Sequence, residues 1–167
     1  MDDVPDVDID VPAIDQLGLV VEDLDAGIER YGSLFGIGPW EVYRFAPPEL
    51  TERTYRGEPA DFSWDLAFAD AGDVQIELIQ PLEGENLYTE HLEEHGEGLH
   101  HVACFSFDDP ADAVDAFVDA GYPVVQHGRL GGSEFWYMDA AADANGLLFE
   151  TASNLEEKPE PDRVVEP

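Results

Sequence analysis

The chain repeats its own layout. Laying Gln16 on His101, an offset of 85 residues, also lays Asp23 on Asp108 and Gly36 on Gly121. Around these anchors both halves run in the same order. A strand-like apolar run, 13–21 or 99–107, ends at an acidic pair, Glu22-Asp23 or Asp108-Asp109. A helical pattern follows, with Ile28, Tyr31, Leu34 and Phe35 on one stripe in the first half and Ala113, Val114 and Phe117 in the second. A glycine stops each helix. Further strands come after turn-rich residues, at 62–68 and 74–80 in the first half and at 135–138 and 146–151 in the second. Each half reads β-α-β-β-β, an α+β unit too small to bury its own sheet. Two such units become stable when their sheets join around a shared cavity.

Composition decides whether that core can form. Asp and Glu number 39 against 7 Lys and Arg, a formal net charge of −32, yet 44% of the residues are hydrophobic and 11% aromatic. That apolar content is enough to fold. The expected body is 13–153, with modules at about 13–82 and 97–153, flanked by acidic tails at 1–12 and 154–167 that offer no apolar face. Phosphate binding depends on clustered cations, and here one Lys and six Arg are scattered, which argues against nucleic acid and anionic membranes as partners. No apolar run approaches the roughly 18 residues that span a bilayer, and Met1-Asp2-Asp3 lacks the basic opening of a secretory signal. Cys104 is the lone cysteine and has no intrachain partner. Together these features predict a cytoplasmic protein. The charge balance resembles that of salt-in halophiles such as halophilic archaea, where salt shortens the Debye length from about 10 Å at 0.1 M to about 3 Å at 1 M.

Four segments carry chemistry-bearing residues in otherwise apolar strands: Ile14-Asp15-Gln16-Leu17-Gly18, Ile76-Glu77-Leu78-Ile79-Gln80-Pro81, Gly98-Leu99-His100-His101-Val102 and Leu148-Phe149-Glu150. Strand side chains alternate between faces, so Glu77 points away from Ile76 and Leu78, and Glu150 away from Phe149. Two carboxylates so placed call for a cation. In order and content the segments resemble the vicinal oxygen chelate superfamily, which includes glyoxalase I, methylmalonyl-CoA epimerase, extradiol dioxygenases and bleomycin-resistance proteins. The resemblance implies one divalent metal ion, Zn, Ni, Co or Mn, held by Gln16, Glu77, His101 and Glu150 with open positions for substrate oxygens. It implies a small carbonyl or thioester substrate whose oxyanion or enediolate the metal stabilises, with Glu150 moving the proton α to the carbonyl. It also implies pairing of two chains across exposed sheet edges.

By the same resemblance, Asp65 falls near the second acid/base of the epimerase branch. Arg129, a rare cation in the glycine-rich stretch 128–133, is a candidate to hold an anionic substrate group. His91 and His95, at helical i, i+4 spacing, lack a third ligand and read as a solvated face. His100 and Cys104 are expected on the sheet face opposite His101. The Gln, Glu, His, Glu set is that of glyoxalase I, whereas the segments around Glu77 and His101 look more like the epimerase-like glyoxalase branch. The reading is a metal-dependent isomerase, epimerase or lyase acting α to a carbonyl. A metal-free ligand-binding protein of the bleomycin-resistance kind is the alternative. An extradiol dioxygenase is disfavoured, because Gln16 stands where that branch has a histidine.

Overall fold

The computed structural model describes residues 3–167. It is a mixed α+β fold dominated by one sheet of eleven strands with three helices around it. The first half contributes β1 (Gln16–Val20), α1 (Leu24–Phe35), β2 (Trp40–Phe45), β5 (Ser63–Ala71) and β6 (Val74–Glu83). Between β2 and β5 lies a hairpin absent from the sequence reading, β3 (Leu50–Tyr55) and β4 (Glu58–Pro59). A helix α2 (Leu87–His95) leads into the second half: β7 (Gly98–Ala103), α3 (Pro110–Asp119), β8 (Val124–Leu130), β9 (Ser133–Met138) and β10 (Leu148–Ser153). A short strand β11 (Arg163–Val165) ends the chain.

Caps fix the helices where the sequence placed them. Asp23 accepts from the Ala26 N–H at the start of α1, and Gly36 closes it in the left-handed region at φ 66°. Asp109 caps α3, with Pro110 in the first turn. On α1, however, Leu24, Gly27 and Ile28 are buried, while Leu34 and Phe35 are each 67% exposed, so the apolar stripe reaches the sheet only over its first turns.

The two halves join through β1 and β7, antiparallel, with Gly18 opposite His101. Outward from that seam, β1 pairs in parallel with β6, and β7 in parallel with β10. The strand order β11-β2-β5-β6-β1-β7-β10-β9-β8-β3-β4 puts β2 and β3 near opposite ends of the sheet. Only residues 46–49 separate them, and five Cα steps reach at most about 18 Å. The sheet must therefore curl until its far ends nearly meet. Its concave side holds a core of Tyr43, Phe45, Leu50, Trp64, Leu130 and Phe135 among others. Its convex side is covered by α1 over one half and by α3 over the other.

Both segments read as tails touch the body. Val7 and Ile9 pack on the cluster under α3, and β11 pairs antiparallel with β2, Val165 opposite Trp40. The free edge of β2 supplies backbone partners that composition does not reveal. Residues 1 and 2 lie outside the described residues. Among the described residues no helix is long and apolar enough to cross a membrane.

Candidate metal centre

Four strands at the middle of the curled sheet each bring one polar side chain to a common point. Gln16 comes from β1, Glu77 from β6, His101 from β7 and Glu150 from β10, and all four are buried. His101 Nε2 stands 3.2 Å from Glu77 Oε2, 3.0 Å from Glu150 Oε2 and 3.0 Å from Gln16 Oε1. Cis donors around an octahedral ion at about 2.1 Å lie about 3.0 Å apart. The observed separations fit that edge length.

The electrostatics point the same way. Burial alone would depress the His101 pKa, but Glu150 and Glu77 outweigh it and raise the imidazole to about 9. Burial raises the Glu77 carboxyl. Without an ion, the pocket thus keeps a proton among its anionic groups, in the place a divalent cation would take. Gln16 can turn either end of its amide inward. With Oε1 inward, its Nε2 donates to Gln75 Oε1 at 2.7 Å, and the oxygen faces two carboxylates, an arrangement that a cation between them reconciles. With nitrogen inward, it reaches His101 Nε2, Glu77 Oε2 and Glu150 Oε2 at 3.0, 3.1 and 3.2 Å. The donor set, one imidazole, one amide oxygen and two carboxylates, suits a divalent ion. Gln75, which sequence reading passed over, sits two residues before Glu77 on the same face, so strand alternation alone would have found it.

His100 lies on the same side as His101, not the opposite one. The pairing with β1 shifts between Gly18 and Leu19, so that Leu19 faces Leu99 and His100 is the extra residue of a bulge. A bulge turns two successive side chains to one face. His100 Nδ1 is 2.9 Å from His101 Nδ1. Burial, then the neighbouring His101, holds His100 well below the ordinary histidine range. Neutral His100 accepts from the His101 Nδ1–H, which leaves Nε2 facing the carboxylates, where it carries the proton in the absence of an ion and would offer its lone pair to one. Tyr137 meets the His101 ring edge-on at 5.0 Å, and its hydroxyl is 2.7 Å from that of Tyr88. Cys104 is on the convex side, packed with Met138 and Phe149.

The cluster forms one wall of a cavity of about 140 Å³ whose other walls are mainly aromatic. Two expected site residues are not in it. Asp65 lies on β5 between Trp64 and Leu66, which face the concave-side core, so it faces outward, where Arg44 opposite it on β2 grips both its oxygens at 2.8 and 2.9 Å. Arg129 lies on β8 one residue before the cavity-lining Leu130 and bonds to Glu52 at 2.6 Å and Glu134 at 2.7 Å on the outer surface. The stretch 128–133 is mostly strand, with only a tight turn at Gly131 and Gly132. Both corrections follow from the same period of two. Among the described residues, the carboxylates lining the cavity are Glu77 and Glu150.

The chain belongs to the glyoxalase/bleomycin resistance protein/dioxygenase superfamily, whose family model matches residues 15–137. A search of curated proteins gave no match. Among solved structures, a Streptomyces coelicolor methylmalonyl-CoA epimerase variant in complex with 2-nitronate-propionyl-CoA is 27% identical at a TM-score of 0.63, covering 90% of this chain and 100% of that one. A methylmalonyl-CoA epimerase in complex with methylmalonyl-CoA and ammonium is 26% identical at 0.61, over 90% and 100% of the two chains. A hypothetical protein of Bacillus halodurans shares the fold at 19% identity and a TM-score of 0.62, over 90% and 97%.

Proposed function

We propose that the chain is a divalent-metal-dependent enzyme that moves a proton on the carbon next to a carbonyl, with Gln16, Glu77, His101 and Glu150 holding the ion. The observation that carries this reading is the approach of Gln16, Glu77 and Glu150 to within 3.2 Å of His101 Nε2 at the end of an aromatic cavity. An ion held there supplies Lewis acidity at the carbonyl oxygen, which acidifies the adjacent C–H bond.

The residues of the chain do the rest. His100 sets the His101 tautomer, and Gln75 accepts from the Gln16 amide when its oxygen is turned inward. The aromatic walls exclude water and orient the substrate with its carbonyl toward the cluster. Glu150 takes the α-proton onto its carboxylate and returns it, so one base serves both directions. A two-base epimerisation needs a second acid/base across the substrate. Asp65 is not there, and apart from Glu77 and Glu150 no carboxylate of the described residues lines the cavity, whose other walls are mainly aromatic with Lys158 as the remaining charged group. A one-base isomerase or lyase of the glyoxalase type fits this cavity better than a two-base epimerase. The alternative, a metal-free ligand-binding protein, is favoured only by the nitrogen-inward amide of Gln16, which satisfies both carboxylates without an ion.

The test is metal analysis of protein purified without chelator, followed by incubation with hemithioacetals and 2-substituted acyl thioesters in deuterated water. About one ion per chain and deuterium at the α-carbon are expected. Metal-free protein that binds but never exchanges its ligand would establish the alternative.

A further inference from the structure

We infer that Lys158 recognises an anionic group at the cavity, and that the occupant is a small, largely apolar acid with one remote negative charge rather than a coenzyme A thioester. The inference rests on the metal-centre reading above for the orientation of the occupant, but not for the role of Lys158.

The chain has six arginines and one lysine. Each arginine is in an ion pair: Arg30 with Glu97, Arg44 with Asp65, Arg53 with Asp61, Arg56 with Glu90, Arg129 with Glu52 and Glu134, and Arg163 with Asp25. Lys158 alone has no carboxylate within 4.0 Å among the described residues, although Glu156, Glu157 and Glu160 flank it in sequence. In a chain of net charge −32 an unpaired cation is the exception. Its ammonium instead stands 5.6 Å from the centre of the Tyr43 ring, and the side chain, half-buried, lines the same cavity as Glu77 and Glu150.

The backbone holds it there from both sides. A 3-10 turn (Leu155–Glu157) follows β10 and turns Leu155 onto the cavity, while the pairing of β11 with β2 anchors the chain beyond it. The cavity therefore has opposite polarity in two places: a cluster with two carboxylates and a lone ammonium. Phe45, Trp64, Phe68, Phe105, Leu130 and Phe135 line it as well. An acid entering this space is repelled by Glu77 and Glu150 and attracted by Lys158, so its charged group goes to the lysine and its carbonyl to the metal centre. A volume of about 140 Å³ admits a small molecule. The several phosphates of coenzyme A would need clustered cations, whereas the arginines are scattered, each beside a carboxylate on a strongly anionic surface.

The experiment is calorimetric titration of the full chain, with and without Mn²⁺, using two series of chelating probes. One series is the monohydroxamates of glutaric, adipic, pimelic and suberic acid; the other is the alkyl hydroxamates of matching length. At one length the acid is expected to bind about tenfold tighter than its alkyl partner. Lys158→Met should erase that difference while leaving alkyl binding unchanged, which also reports an intact cavity, and Lys158→Arg should restore most of it. Free coenzyme A at millimolar concentration should displace neither. Equal affinity for both series in the unaltered protein, or equal loss of both in Lys158→Met, overturns the role of Lys158. Displacement by coenzyme A overturns the substrate class. Alkyl hydroxamates indifferent to Mn²⁺ would instead overturn the metal centre, while a carboxylate preference that persists without metal would still support Lys158.

Discussion

The imidazole of His101 lies over the backbone of Gly18, so close that a Cβ on Gly18 would stand 1.9 Å from Cε1, 2.3 Å from Nδ1 and 2.4 Å from Nε2. The two residues are opposite each other across the seam that joins the halves of the molecule. The glycine here provides space rather than backbone freedom, since its φ is outside the left-handed region. The His101 ring is held from its other sides by His100, Glu77, Glu150 and Tyr137. Gly18→Ala should therefore displace the ring, cost about 1–3 kcal/mol by overpacking, and abolish stoichiometric metal binding. Metal analysis beside a thermal melt checks this; an alanine variant that keeps its metal would show that His101 is not a ligand.

The unaltered protein should bind about one divalent ion per chain. Metal at a hundred times its dissociation constant should add about 2.7 kcal/mol of stability, visible as a higher melting temperature that a chelator reverses. His101→Ala and Glu77→Ala should each remove the response. Persistence of the response in either variant would place the site elsewhere.

The pH dependence of the chelated protein has a definite sign. His101 titrates higher in the folded state, about 9, than the ordinary histidine near 6.5. Its stabilisation is therefore present in full below about 6.5 and lost as pH rises through about 9. Melting temperatures of chelated protein should fall across that window. Metal competes with the same proton, so apparent metal affinity should rise across it, as titrations in buffers of different pH would reveal.

Glu150→Gln should keep the fold and lower proton exchange at the α-carbon by about 10²- to 10⁴-fold. Asp65→Asn should leave exchange unchanged, because the residue faces away from the cavity and its pair with the exposed Arg44 is worth at most about 1 kcal/mol. Equal exchange rates in Glu150→Gln and the unaltered protein would remove Glu150 as the base.

The net charge of −32 predicts self-repulsion that salt relieves. Melting temperature should rise clearly between about 0.1 M and about 2 M KCl. A flat or falling trend would remove the halophilic reading.

Much of this layout is legible in the chain itself. The offset between Gln16 and His101 marks the seam, and strand alternation sends Gln16, Glu77, His101 and Glu150 to one side of the sheet. Alternation also misleads where it is broken or applied only in part. Alternation predicts His100 outward, because the bulge opposite Gly18 has no signature in Leu99-His100-His101. Asp65 is turned outward by the inward faces of its neighbours Trp64 and Leu66, which the alternation of β5 already implies. The segment from Leu50 to Tyr55 is too charged to look like a strand, and becomes one by pairing with β8. Lys158 lies in a stretch whose composition suggests disorder, and only the anchoring of β11 on β2 brings it to the cavity.

The four-residue passage from β2 to β3 ties together regions near opposite ends of the sheet. A clamshell opening of the two halves would have to unwind the turn in that passage, closed by the Leu50 N–H on Ala46 O at 3.0 Å, as well as break the seam at β1 and β7. The cavity is thus a vessel whose girth is tied to one short turn. Calibre thereby joins charge in sorting ligands, since widening the vessel costs the turn and the seam together.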